Sequence, residues 1–363
     1  MYLYFFFGIL AFISGMEVAN IKIKQYPAFY KVTYWCFIWI FFLLSSFRWK
    51  NGTDWNSYLL FFNSFTDITC ISYMEPGFTL LTSVNSTLFN YTAQLTSIAF
   101  LSIIPIAWRY NKISPYPIFT LFIWYTTTFA NIFPVRQSIA IALFVFSWKY
   151  IQEKRIKPFL FFVFLGAMFH FTVLITIPIY YLWHKKIPTA FYCYSILILA
   201  GISFLSDSLI KNILFGIGGD LLKEKLEFYL EANQDSTFNS SFTPAQILFR
   251  GIINRSFYFF IPLILLRKYR HDNPSLNAFF NLYFYSFCLF LVFTPLAPAM
   301  GRLCNYTDMS QALLLPYIFT LKMNRTNICL IMCIIILYFT IRFKGVVGNY
   351  YDAYIPYNFV FFQ

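Results

Sequence analysis

Apolar runs of about 15 to 25 residues recur along this chain from end to end, each closed by a short polar or basic connection. They cover about 2–19, 32–47, 93–108, 116–132, 137–151, 190–208, 251–266, 277–297, 303–321 and 327–341, and runs of this kind read as helices that cross a bilayer. A further run, Pro158 to Lys186, holds His170 near its middle and fits less simply. As a single span it would put Lys185 and Lys186, then Arg267, Lys268 and Arg270, then Lys322 and Arg325 on the side opposite the other basic connections, breaking the positive-inside rule three times. As two short arms that meet near His170 and return, it keeps them with Lys22, Lys24, Lys31, Arg109, Lys112, Lys149, Lys154, Arg155 and Lys157 on the cytoplasmic side. Only Glu17, Glu153 and Asp272 oppose them there. Arms of about 12 residues cannot cross a hydrocarbon core of about 30 Å. They are therefore expected to be re-entrant or tilted and packed among other helices, with His170 at a buried turn.

The composition excludes a soluble domain: 59% of the 363 residues are hydrophobic and only 11% are charged, too few to cover a water-facing surface. The expected fold class is an all-α polytopic integral membrane protein with about 10–12 transmembrane or re-entrant helices, forming a single transmembrane domain over residues 1–363. A large external loop spans 209–250, where Glu224, Glu227 and Glu231 at helical spacing suggest an amphipathic helix lying over the external face. The first run has neither a basic leader nor a small-residue cleavage site and reads as a retained helix. A net charge of +13 could suggest nucleic acid, but the loop-by-loop placement of Lys and Arg makes it a topology signal instead. Seven scattered cysteines without CxxC spacing indicate no zinc site and no disulfide framework.

With that orientation the stretch "FRWKNGTDWNSY" lies outside, and polar residues that lipid tolerates poorly gather on the same face. Arg136 follows Pro134 at the mouth of a new helix, where free amides and a guanidinium together make a candidate anion site; interfacial snorkelling is the alternative. Arg302 follows Pro295, Pro298 and Gly301 at a second helix break. Arg250 and Arg255 stand at the external start of another helix, and Arg48 closes an earlier one. Asp54 and Glu75 sit on short loops, where a solvated carboxylate is the bland reading. His170 is embedded among Phe and Met, an environment that disfavours an imidazole without a partner. Guanidiniums bind phosphate oxygens bidentately, and a carboxylate or imidazole beside them can take a proton from a hydroxyl. The set suits attack of a hydroxyl on a donor whose leaving group is a phosphate or diphosphate. There is no DxD pair and no HExxH to hold a metal.

Five motifs run in order along the chain: Arg48 with Gly52, Thr53, Asp54 and Tyr58; Glu75, Pro76 and Phe78; Arg136, Gln137 and Ala140; Phe169, His170 and Thr172; and Arg302, Leu303 and Tyr306. The ordered set resembles the EpsG-like branch of the Wzy-type polysaccharide polymerases. The resemblance implies a bacterial inner-membrane enzyme of O-antigen or capsule assembly, with its active site facing the periplasm or exterior. It would transfer a growing glycan from undecaprenyl diphosphate to a lipid-linked repeat unit, in a single inverting displacement without a metal or other cofactor. It also implies the multi-helix fold shared with O-antigen ligases. By the same resemblance Arg136 and Arg302 hold the donor diphosphate, with Arg48 or Arg255 assisting, and His170, Asp54 or Glu75 activates the acceptor hydroxyl. Expected partners are the lipid-linked donor and acceptor, membrane lipid and a chain-length regulator protein, with no nucleic acid. The alternatives are an O-antigen ligase or another lipid-dependent glycosyltransferase, and, from a different class, a flippase for the lipid-linked oligosaccharide.

Overall fold

The computed structural model describes residues 2–19, 27–52, 54–66, 74–127, 135–204, 243–270, 272–296, 298–349 and 351–362. In chain order the main helices are α1 (Tyr2–Val18), α2 (Pro27–Ser46), α3 (Trp55–Asn63), α4 (Pro76–Leu88), α5 (Tyr91–Ile113), α6 (Pro117–Thr127), α7 (Arg136–Gln152), α8 (Ile156–Ala167), α9 (Thr189–Ser203), α10 (Pro244–Leu265), α11 (Pro274–Phe293) and α12 (Arg325–Asn349). Five of them open on proline, which supplies a helical φ where the missing N–H costs nothing. Side-chain caps fix other starts: Asn90 accepts from the Ala93 amide at 3.0 Å, and Thr243 and Gln246 form a capping box. Because Thr243 starts α10, Arg250 and Arg255 lie inside that helix rather than at its mouth.

The protein is an all-α polytopic membrane protein. Helices α2, α5, α10, α11 and α12 are each long and apolar enough to cross a membrane, and α1, α8 and α9 are shorter apolar helices. Large apolar side chains such as Phe5, Phe12, Ile198, Ile264, Leu337 and Ile341 are exposed, as lipid-facing positions require. The backbone between Pro158 and Lys186 does not form one span. Helix α8 stops at Ala167, a 3-10 helix covers Phe171–Thr176, and a single turn follows at Ile179–Leu182. The break falls at 168–170, the position that the charge argument selected. Run 303–321 departs from expectation: it is a succession of 3-10 and single-turn segments rather than a helix. Its residues from Tyr306 to Phe319 are buried in protein, which is where irregular backbone at membrane depth is tolerated. Glu224, Glu227, Glu231 and most of loop 209–250 lie outside the described residues.

The chain forms two compact units, residues 1–177 with 319–363, and residues 178–318. In the first unit α7 packs on α8 and α5, α2 packs on α5, and α1 packs on α6 with α12 beside them. The aromatic excess goes into this core. Phe41 of α2 stacks on Tyr125 of α6 with ring centroids 5.3 Å apart, Phe6 of α1 meets Phe41 edge-on at 5.1 Å, and Phe343 of α12 closes on Tyr125 at 5.2 Å. In the second unit the deeply buried α11 is the centre, with α9 and α10 on it. Its Asn281 donates to the Leu182 carbonyl at 2.6 Å and the Lys185 carbonyl at 2.9 Å, tying down the chain between the Ile179–Leu182 turn and α9.

Glu17, which sequence places at the cytoplasmic end of α1, has a structural task there. It is 1% exposed and accepts the Phe119 amide at 2.8 Å and the Ile118 amide at 3.4 Å, capping α6 from a different helix, and it also takes the Tyr30 hydroxyl. The helix dipole favours the carboxylate at that end. Glu17→Ala strands the α6 amides and is expected to cost about 1–3 kcal/mol, while Glu17→Gln, which keeps an acceptor, costs less. Melting temperatures of the detergent-solubilised variants check this; equal melting for wild type and Glu17→Ala contradicts it.

Candidate functional site

The stretch Phe47 to Tyr58 is held by the far end of the chain. Trp49 N–H donates to the Asn358 carbonyl and Gly52 N–H to the Ala353 carbonyl, each at 2.9 Å, and Val360 N–H donates to the Phe47 carbonyl at 3.0 Å. The Asn51 amide reaches the Pro356 carbonyl at 3.0 Å and takes the Asn358 N–H at 2.8 Å, while the Tyr357 hydroxyl donates to the Leu44 carbonyl. Gly52, at φ 103°, makes the turn that a side chain would strain. This strap fixes Arg48, which is 4% exposed. Burial pulls the Arg48 guanidinium below its ordinary pKa, and Tyr91, Tyr357 and Asp54 act in the opposite direction. Asp54 sits half-buried at the N-cap of α3 without a side-chain capping bond.

Glu75 precedes Pro76 at the start of α4, and Arg136 is the first residue of α7. Their side chains meet: Arg136 Nη1 lies 2.5 Å from Glu75 Oε2, with the side chains 26% and 19% exposed. Arg136 Nη1 also reaches Met74 Sδ at 3.0 Å, and its guanidinium hydrogen-bonds the Tyr58 hydroxyl. Burial raises the pKa of that hydroxyl, while the charge of Arg136 pulls it down. The second Glu75 oxygen accepts the Phe171 amide at 3.4 Å, the first amide after His170.

The His170 turn reaches Glu75 because two glycines permit it. Gly77 N–H donates to the Met168 carbonyl at 2.7 Å, and a Cβ on Gly77 would lie 2.8 Å from that oxygen and 2.9 Å from Met168 Cβ. At Gly166 a Cβ would stand 3.4 Å from Val173 Cγ1 and 3.6 Å from the Ala140 backbone, so the returning 3-10 segment and α7 both close on α8. His170 itself is half-buried rather than fully buried, with Nδ1 hydrogen-bonded to Thr172 Oγ1 at 2.6 Å. The turn faces a polar cluster, which relieves the burial expected from its Phe and Met neighbours.

Arg48, Asp54, Glu75, Arg136 and His170 thus all belong to the first unit, and Glu75, Arg136 and the His170 turn are in direct contact. Arg255 and Arg302 belong to the second unit. Arg302 is exposed on the 3-10 helix Pro298–Cys304, and Thr294 Oγ1 would lie 3.0 Å from a Cβ on Gly301 in that turn. Arg255 is committed internally. It forms a two-pronged pair with Asp308, its Nη2 lying 2.7 Å from Oδ2 and its Nη1 contacting Oδ1. Nη1 also reaches Ser286 Oγ at 3.1 Å, Ser286 in turn donates to Asp308 Oδ1, and the guanidinium lies 4.5 Å from the centre of the Phe290 ring. Side-chain exposures of 12% and 11% make this a buried ion pair, and removing one partner of such a pair costs about 3–5 kcal/mol. Sequence brings Arg255 forward without its partner Asp308. Two isolated opposite charges in apolar runs were the available signal.

Chemically, the first-unit cluster offers a guanidinium at a helix N-terminus, a carboxylate that orients it, a phenol and an imidazole close by. That is an anion-binding arrangement with proton acceptors at its rim. The EpsG family model matches residues 31–359, and the chain belongs to the EpsG family. Membership makes it a polysaccharide polymerase-like membrane protein of glycosyltransferase type. Comparison with curated proteins and with solved structures returned no match.

Gly77→Ala separates the α4 start from Met168 and so pulls Glu75 off the His170 turn. An ångström of misplacement costs about 10²-fold in rate, so polymer made per unit of protein should fall by that order while abundance changes little. Quantifying polymerised glycan against immunoblotted protein tests it; wild-type yield from Gly77→Ala contradicts the geometry.

Proposed function

We propose that this protein is the polymerase that lengthens a bacterial surface polysaccharide, transferring the growing glycan from a polyprenyl diphosphate, undecaprenyl diphosphate in the reading carried from the family, to an incoming lipid-linked repeat unit. The observation that carries the reading is the contact of Arg136, Glu75 and the His170 turn within one unit of an EpsG-family membrane protein. The site operates at the outer face of the inner membrane, where lipid-linked repeat units are displayed.

Arg136 binds the donor diphosphate at the start of α7, where the helix dipole favours an anion, and Glu75 orients the guanidinium as its counter-ion. Arg48 adds positive charge on the same unit; Arg302, assigned to the donor by the family resemblance alone, stands exposed on its turn in the second unit. Glu75, with one oxygen on Arg136 and the other on the Phe171 amide, takes the orienting role rather than that of the base. His170 takes the proton of the acceptor hydroxyl as that oxygen attacks the anomeric carbon and the lipid diphosphate leaves, with Asp54 the second candidate base. The displacement inverts the anomeric centre. Arginines rather than a metal neutralise the leaving group. Arg255, saturated by Asp308, positions its own unit and does not bind donor.

The test is the glycan profile of cells lacking the gene and complemented with wild type, Arg136→Ala or His170→Ala at matched protein abundance. The expected result is single-repeat product in the deletion and in both variants, a loss of polymer of about 10²-fold or more. An unaltered ladder in either variant removes that residue from the active site. A deletion that abolishes repeat units on the surface altogether points to a flippase, and one that leaves polymer unattached to its final carrier points to a ligase.

A further inference from the structure

Two basic connections of the second unit, 183–188 before α9 and 266–273 between α10 and α11, lie at the end that charge placement assigns to the cytoplasm. Buried side chains tie them together. Arg270, fully buried, donates from Nη2 to the Ile187 carbonyl at 2.8 Å and lies 4.8 Å from the centre of the Tyr192 ring. The Tyr192 hydroxyl donates to Asn281 Oδ1, and Asn281 holds the Leu182 and Lys185 carbonyls. Asn277 adds a second donor to the Lys185 carbonyl at 2.8 Å. The backbone that carries Lys185 and Lys186 is thereby fixed against the connection that carries Arg267 and Lys268.

These four cations are exposed, and among the described residues none of them forms an ion pair. Asp272 is the one acid in the two connections. Burial pulls the Arg270 guanidinium below its ordinary pKa; Tyr192 opposes the shift and the charge of Arg267 adds to it, so uncompensated positive charge is felt even by the buried arginine. The first unit treats a comparable basic connection differently, pairing Lys149 and Arg155 with Glu153 at 3.9 and 3.2 Å. Topology needs only the number of Lys and Arg in a connection, whatever its shape. Three buried side chains spent on the carbonyls of 182–187 give these cations a fixed arrangement, which topology does not ask for and ligand recognition does. Tyr181, Ile264, Leu265 and Tyr269 are exposed next to them, a surface of the kind that meets lipid at the membrane interface. An anion that settles there is therefore one that carries acyl chains.

We propose that the two connections form one site for the headgroup of an anionic phospholipid, its phosphate held by Lys185 and Lys186 from one connection and by Arg267 and Lys268 from the other, with acyl chains along Ile264 and Leu265 of α10. Arg270, Asn277 and Asn281 are positioning residues that shape the site from behind. The proposal is independent of the polymerase reading, since it concerns the opposite end of the second unit from the external face.

The experiment measures binding of phosphatidylglycerol to the purified full chain in detergent by native mass spectrometry, with the melting temperature as a second readout and phosphatidylcholine of the same acyl chains as the comparison. Three double variants are compared with wild type: Lys185→Gln with Lys186→Gln, Arg267→Gln with Lys268→Gln, and, on the first unit, Lys154→Gln with Lys157→Gln. Wild type is expected to bind phosphatidylglycerol in preference to phosphatidylcholine and to melt higher with it. Each second-unit variant should melt like wild type without lipid and bind phosphatidylglycerol about 30-fold more weakly, the effect of two interfacial cations. The first-unit variant, which removes the same charge, should bind as wild type does. Equal binding of the two lipids overturns the proposal. An equal loss in all three variants overturns it as well, leaving a general attraction of basic surface for anionic lipid. If only one of the second-unit variants weakens binding, the two connections do not share a site. If inorganic phosphate raises the melting temperature as much as phosphatidylglycerol, the ligand is a free anion rather than a lipid.

Discussion

The Glu75–Arg136 ion pair is the contact on which the candidate site depends. It joins the first residue of α7 to the residue that starts α4, and through the second Glu75 oxygen it reaches the backbone just after His170. Three separate chain breaks are thereby gathered at one point. Breaks are where a membrane helix exposes amides and carbonyls that lipid cannot satisfy. Here the breaks are tied to one another: the Gly77 amide donates to the Met168 carbonyl and the Phe171 amide to Glu75, beside the Arg136 guanidinium. At 26% and 19% side-chain exposure the pair remains open to a ligand.

The Arg255–Asp308 pair shows the other use of the same residue types. It is more enclosed, bonded at both Nη atoms, and backed by Ser286 and the Phe290 ring. A guanidinium so fully occupied holds structure. Both pairs are Arg–carboxylate contacts in an apolar chain, and sequence places both arginines among the donor-binding candidates. Exposure and the number of committed donors separate the two arginines.

Much of the architecture is legible from apolar runs, because backbone satisfaction in lipid forces a long apolar segment into a helix. The break at 168–170 is legible for a different reason: charge placement forbids a single crossing of 158–186. Residues 303–321 defeat the same logic, since irregular backbone buried in protein is as apolar as a helix facing lipid. Of the site, Arg136, Glu75 and His170 announce themselves by being polar where polarity is costly. The strap from Ala353 to Val360 onto Phe47–Gly52 does not, because it is made largely of backbone hydrogen bonds that carry no side-chain signature.

The most direct test of the account is a double-mutant cycle on the central pair, measuring polymerised glycan for Glu75→Gln, Arg136→Gln and the double variant at matched abundance. If the pair acts as one device, either single change removes its function and the double variant is no worse than the poorer single. Losses that multiply in the double variant, or a wild-type ladder from Glu75→Gln, would show that the two side chains work independently and that the contact between them does not organise the site.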